Sequence, residues 1–114
     1  MAQIGLPIYI TENGISDKDM TNDFRRKRWI SHYQKAVSLA LEDGIDIRGY
    51  YYWTLVDNFE WDTGWSNKFG LYSFDRDSQV RTLKEGASVY ASIIKKARSG
   101  DFTGFTDDHV NTSM

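Results

Sequence analysis

The sequence contains no cysteine and one proline in 114 residues. Without thiols, disulfides and thiolate metal sites are excluded, and cysteine usage gives no reading of the redox compartment. Charge of one sign is also missing. Fourteen Lys and Arg stand against 16 Asp and Glu, a formal net charge of −2, so nothing points to nucleic acid or an anionic membrane as a partner. No apolar run is long enough to cross a bilayer. The opening Met1-Ala2-Gln3-Ile4-Gly5 lacks a basic region followed by an apolar core, so no secretion signal is expected and the expectation leans to the cytoplasm. Aromatic residues are abundant: four Trp, seven Tyr and six Phe exceed what one small core uses, so some should line a surface or a cleft. With 40% hydrophobic residues the chain is not a disordered one.

The stretch Pro7-Ile8-Tyr9-Ile10-Thr11-Glu12-Asn13-Gly14 organises the rest. Its consecutive apolar residues Ile8, Tyr9 and Ile10 suit a strand buried on both faces, as in a parallel sheet covered by helices. Asn13-Gly14 breaks the strand, because both residues tolerate positive φ. Glu12 thus falls where a buried strand becomes a loop. A carboxylate there faces the rim on which parallel sheets and barrels keep their chemistry. Taken alone, it reads equally well as a loop glutamate in water.

After a polar loop from Ile15 to Asn22, apolar spacing at Ile30, Tyr33, Val37, Ala40 and Leu41 predicts an amphipathic helix over Phe24–Glu42. Asn22 or Asp23 would cap it and Gly44 would close it. Arg25-Arg26-Lys27-Arg28 reads as a solvated helix face, and His32 as a surface or half-buried histidine with no second ligand at metal spacing. Ile45–Trp53 is a second β-prone run, which completes a parallel βαβ unit. The aperiodic loop Leu55–Asn67 mixes Asp57, Glu60 and Asp62 with Trp61 and Trp65, a composition that points to function. Phe69–Asp75 reads as extended, and Thr82 with Glu85 as a capping box for a last helix ending near Gly100. Its buried face would be Leu83, Ala87, Tyr90, Ile94 and Ala97. Asp101–Met114 reads as a polar tail, holding His109 and a chance glycosylation sequon at Asn111. Two parallel strands and two helices leave both sheet edges open, so the pattern suggests a quarter of something larger.

Three stretches carry a resemblance: Pro7–Ile15, then Gly49–Trp61, then Lys68–Tyr72 continuing through Asp75 to Arg81-Thr82-Leu83-Lys84. In order and spacing they resemble the family 1 glycoside hydrolases, the β-glucosidase and β-galactosidase family, over about residues 6 to 95. The resemblance implies an α/β fold, the C-terminal portion (the last two βα units) of a TIM (β/α)8 barrel. On that reading residues 1–98 are the barrel segment and 99–114 the tail. It implies that Glu12 is the nucleophile of a retaining hydrolysis of terminal β-linked glucosyl or galactosyl residues. It further implies that Glu60 accepts hydrogen bonds from glycone hydroxyls and that Trp61 donates one through its indole N–H. Trp53 would be an apolar platform under the sugar, with Phe69 packed beside it. Without the motif, Trp53 could simply be core, Phe69 is more often core than contact, and Glu60 reads equally well as a solvated loop acid.

The departures from the family pattern are Thr54 for serine, Trp65 for tyrosine, Lys68 for arginine, Leu83 for proline and Gly86 for serine. The Glu60-Trp61 pair argues for an unphosphorylated glycone. Retention needs a second carboxyl about 5–5.5 Å from the nucleophile. The family carries it in an Asn-Glu-Pro context that does not occur here. The expected partners are therefore a β-glycoside substrate and the remaining N-terminal part of the barrel, with no cofactor and no metal. Alone, the chain is expected to be inactive. Two rivals stand beside this reading: a non-catalytic carbohydrate-binding module, and a structural half-barrel fragment that survives by oligomerising.

Overall fold

The computed structural model describes residues 5–18 and 23–100. Strand β1 (Ile8–Asn13), helix α1 (Phe24–Glu42) and strand β2 (Ile47–Tyr52) form the first unit, with β1 and β2 parallel and paired. A loop with one 3-10 turn at Trp61–Thr63 leads to an antiparallel hairpin, β3 (Tyr72–Phe74) and β4 (Arg81–Leu83). Helix α2 (Glu85–Arg98) follows directly. The expected β-α-β-α order is therefore present, with a hairpin that periodicity did not reveal.

The core is Ile30 of α1, Leu71, and Ala87, Val89 and Ile93 of α2, with Tyr52, Tyr72 and Tyr90 packed around it. Both helices meet on one side of the sheet, so the strand expected to be buried on both faces has one covered face. Ile8 and Ile10 are half-buried, whereas Tyr9 is 55% exposed. Along β1 the pairing runs Ile10↔Tyr50 and then Asn13↔Tyr52, so β1 spends one residue more than β2 over that step. This bulge breaks the two-residue alternation: Thr11 and Glu12 are both exposed, and Asn13 turns back toward the helices.

The buried face of α1 differs from the apolar stripe. Arg26, Ser31, Gln34 and Ser38 are buried with Phe24 and Ile30, while Tyr33 stays 42% exposed and packs on Trp29 at 4.4 Å between ring centroids. Arg26 is 0% exposed, so the basic run is not a solvated face throughout. His32 is exposed, and Gly44 ends the helix with φ of 82°.

The expected Thr82–Glu85 capping box does not form. Thr82 lies in β4 opposite Ser73, and Lys84 occupies the N-cap of α2 without a side-chain cap. Leu83, assigned to the buried helix face, is in β4 and 51% exposed. Asp23 occupies the N-cap of α1 as expected, but its side chain makes no cap bond there. Its Oδ2 accepts the Gly86 N–H of α2 at 2.7 Å. Asn22, the sequon at Asn111 and His109 lie outside the described residues. Among the described residues, no helix is long and apolar enough to cross a membrane.

Candidate active site

Glu12 stands at the end of β1 on the open side of the sheet, exposed, because the bulge re-aims it there. Beside it Gly14 has no room for a side chain: a Cβ would overlap the Trp53 carbonyl oxygen. That contact, with the Trp53 N–H donated to the Asn13 carbonyl at 2.9 Å, sets the end of β2 against the turn after Glu12. Asn13 is held from the helix side. Its Oδ1 accepts the Trp29 indole N–H at 3.1 Å and the Tyr50 hydroxyl at 2.6 Å. Burial pushes the Tyr50 phenol well above its ordinary range, so it remains a donor.

Glu12, Asn13, Gly14, Trp53, Glu60 and Phe69 line one open cleft of about 450 Å³. Of the residues singled out from sequence, Glu12, Trp53, Glu60 and Phe69 come together. Trp61 does not line the cleft; its ring is 86% exposed and its backbone takes φ of 39°. The Trp53 indole N–H donates to Glu60 Oε1 at 3.1 Å, which fixes one carboxylate oxygen and leaves the other free to accept from a ligand. The Trp53-Thr54 peptide bond is cis.

The loop that carries Glu60 is anchored by Asp57, which is 3% exposed. Asp57 Oδ1 accepts the Gly70 N–H at 2.7 Å and the Lys84 Nζ at 2.8 Å. Burial lowers the Lys84 pKa, and the hydrogen bond it donates to Asp57 opposes that shift. Asp57 is thus structural and does not enter the cleft lining. A separate groove of about 400 Å³ runs between α1 and α2 toward the start of β2, lined by Val37, Leu41, Ile47 and Ile93 among others. Its lining is mainly apolar but includes Gln34, Arg48 and Arg98, and it holds no carboxylate, whereas the cleft of Glu12 holds two. Among the described residues, no cluster of three or more His, Asp or Glu could hold a metal ion.

Sequence reasoning missed Arg26, Asn13 and Lys84 as supports of the site. For Arg26 a signal existed: it lies one helical turn before the buried Ile30, on the same face.

Comparison with known proteins gives a consistent answer. Residues 3–99 match the profile of Glycosyl hydrolase family 1. Beta-glucosidase 47 of Arabidopsis thaliana is 38% identical over 97 residues, covering 82% of this chain and 18% of that protein. The GH1 beta-glucosidase of Exiguobacterium antarcticum superposes with a TM-score of 0.77 at 39% identity, covering 84% of this chain and 23% of the other. The beta-glucosidase of Thermotoga maritima, solved in complex with deoxynojirimycin, gives 0.74 at 32% identity over 78% of this chain and 22% of the other. The chain thus spans about a fifth of the length of the relatives it matches, and its fold is a fragment of a TIM (β/α)8 barrel.

Proposed function

This chain belongs to glycosyl hydrolase family 1, and from that premise we propose that it supplies the nucleophile and one side of the sugar pocket of a retaining β-glycosidase. The observation that carries the reading is the convergence of Glu12 and Glu60, from different segments, on one cleft with Trp53 and Phe69. Glu12 attacks the anomeric carbon of a terminal β-glucosyl or β-galactosyl residue, the glycosidic C–O bond breaks, and a covalent glycosyl-enzyme forms. The leaving oxygen takes its proton from a carboxylic acid outside this chain, and water then releases the sugar with the Glu12 carboxylate restored.

Binding in this reading follows from what a sugar offers. Hydroxyls donate to the free oxygen of Glu60, and the apolar C–H face of the ring lies on Trp53 with Phe69 at its side. Trp61, next to Glu60, donates its indole N–H once its ring turns over the cleft. The unpaired edges of β1 and β2 and the uncovered sheet face suit strands from the remaining N-terminal part of the barrel. Residues 1–98 are then the barrel segment and 99–114 a tail. Asp57 cannot replace the missing acid, because Lys84 and the Gly70 amide hold it buried.

The test is complementation. The chain alone leaves an aryl β-glucoside intact; mixed with the complementary N-terminal portion of the Exiguobacterium antarcticum enzyme, it restores hydrolysis that Glu12→Gln abolishes. A 2-fluoro glucoside with a dinitrophenolate leaving group, which departs without protonation, becomes bonded to Glu12 in the complemented protein. Turnover by the chain alone that Glu12→Gln removes would contradict the missing acid. Complementation that survives Glu12→Gln, or deoxynojirimycin binding with no labelling of Glu12, would favour a binding module without chemistry.

A further inference from the structure

Two loops frame the cleft, and they are sewn together beneath it. The first follows β1, beginning with Gly14 two residues after Glu12; the second runs from Asn67 to Gly70 and carries Phe69. The Asp17 N–H donates to the Lys68 carbonyl at 3.0 Å. The Lys68 N–H donates to Ser16 Oγ at 3.2 Å, and that hydroxyl donates to Asn67 Oδ1 at 3.2 Å. Under this seam lies Arg26, a side chain on the neighbouring helix that is 0% exposed. Its Nη2 donates to the Ile15 carbonyl of the first loop at 3.3 Å and to the Lys68 carbonyl of the second at 2.6 Å. Nε donates to the Tyr52 hydroxyl at the end of β2 at 3.2 Å, and Nη1 to the Asp23 carboxylate.

One planar group therefore touches the loop after Glu12, the loop of Phe69, the last residue of β2 and, through Asp23, the first turn of α2. A buried cation with four acceptors in these places does more than neutralise Asp23, because a simple pair would need only the Nη1 contact. Burial raises the Tyr52 pKa while Arg26 pulls it the other way, consistent with a cation held directly against the phenol. The guanidinium fork is what makes the span possible. A lysine ammonium keeps the charge and presents a single nitrogen, which cannot reach Tyr52, Asp23 and both carbonyls together.

We propose that Arg26 is a positioning residue for the glycosidase reaction: it fixes the separation of the two loops that flank the cleft, and so the place of Glu12 relative to Phe69 and the sugar between them. The proposal rests on the retaining-glycosidase reading for its consequence on rate, and on the seam itself for its geometry. The experiment separates the two.

Arg26→Lys is made in the chain, and amide exchange is measured residue by residue. The expected result is exchange about tenfold faster at Asp17 and Lys68, the factor of roughly one lost charge-assisted hydrogen bond, with Ile30 and Ile93 unchanged. In the complemented protein the same variant lowers kcat by up to roughly 100-fold while KM moves far less, as expected for misplacement of a reacting group by about 1 Å. Ser16→Ala, which loosens the seam and leaves the Asp23–Arg26 pair and the core intact, gives the same local pattern at smaller size should Arg26→Lys fail to fold. Uniform acceleration across the core amides, or no change at Asp17 and Lys68 in either variant, overturns the proposal. So does a loss confined to KM. If the parent complemented protein shows no hydrolysis, the glycosidase reading falls, and the exchange pattern still decides whether Arg26 clamps the loops.

Discussion

Asp23, at the head of α1, caps α2: its Oδ2 takes the Gly86 amide at 2.7 Å while Oδ1 pairs with buried Arg26. Gly86 of α2 lies directly against this pair. A Cβ built there would lie 2.7 Å from Arg26 Cγ and 2.7 Å from Asp23 Oδ2. Gly86→Ala gains up to about 1 kcal/mol in helix propensity. The side chains it meets are pinned by their own hydrogen bonds, so the overpacking cost of about 1–3 kcal/mol prevails. The expected outcome is a net loss of stability, read as a lower urea midpoint with an unchanged slope. A raised midpoint would show that Arg26 and Asp23 give way freely.

The Lys84–Asp57 pair is buried on both sides, with side chains 4% and 2% exposed. Removing one partner strands the other. Lys84→Met is expected to cost about 3–5 kcal/mol, because the Asp57 carboxylate remains in the interior with only the Gly70 amide as donor. Adding Asp57→Asn to Lys84→Met removes the uncompensated charge and recovers much of that loss. Chemical denaturation of the single and double variants measures both. Equal stability of the two would assign the cost to lost packing.

The β3–β4 turn carries a pH signature. Asp75 Oδ1 accepts the Asp77 N–H at 2.9 Å and the Ser78 N–H at 3.1 Å. Those amides, Ser78 first, hold the Asp75 pKa below 3.8. A carboxylate with a depressed folded pKa contributes stability that is complete above its unfolded value. That contribution drains away as pH falls through the depressed one. The Asp77 and Ser78 amide resonances should therefore titrate together below pH 3.8, and Asp75→Asn should remove the transition. A midpoint above the ordinary aspartate value would reverse the sign.

Elements whose signal is local were legible in the sequence. The 3.6-residue spacing marked both helices, Gly44 marked the end of α1, and the β-prone runs marked β1 and β2. Hairpin strands of three residues, Tyr72–Phe74 and Arg81–Leu83, are too short to show a period. The polar face of α1 was invisible for another reason. Burying Arg26 is favourable only because acceptors arrive from Ile15, Asp23, Tyr52 and Lys68, and most of these lie far along the chain. The capping of α2 failed on the same ground, since Asp23 reaches it through space.

For the site, the rim position of Glu12 follows from a strand meeting Asn13-Gly14. Its meeting with Glu60 does not follow from any local pattern, and only the family resemblance suggested it. The indole–carboxylate bond from Trp53 to Glu60 and the tyrosine–tryptophan grip on Asn13 are products of packing. They could be read only once the strands were side by side.

The extra residue in β1 between Ile10 and Asn13 makes parity a functional quantity. Were Ile10–Asn13 to pair in strict alternation with no bulge, neighbours would swap sides: the acid would fall on the helix side with Trp29 and Tyr50, and the amide on the open side of the sheet. Substitutions in this stretch can be graded by size and polarity, whereas a change of face admits no half measure. The side on which Glu12 stands is therefore set by how the backbone pairs as much as by which residue occupies the position.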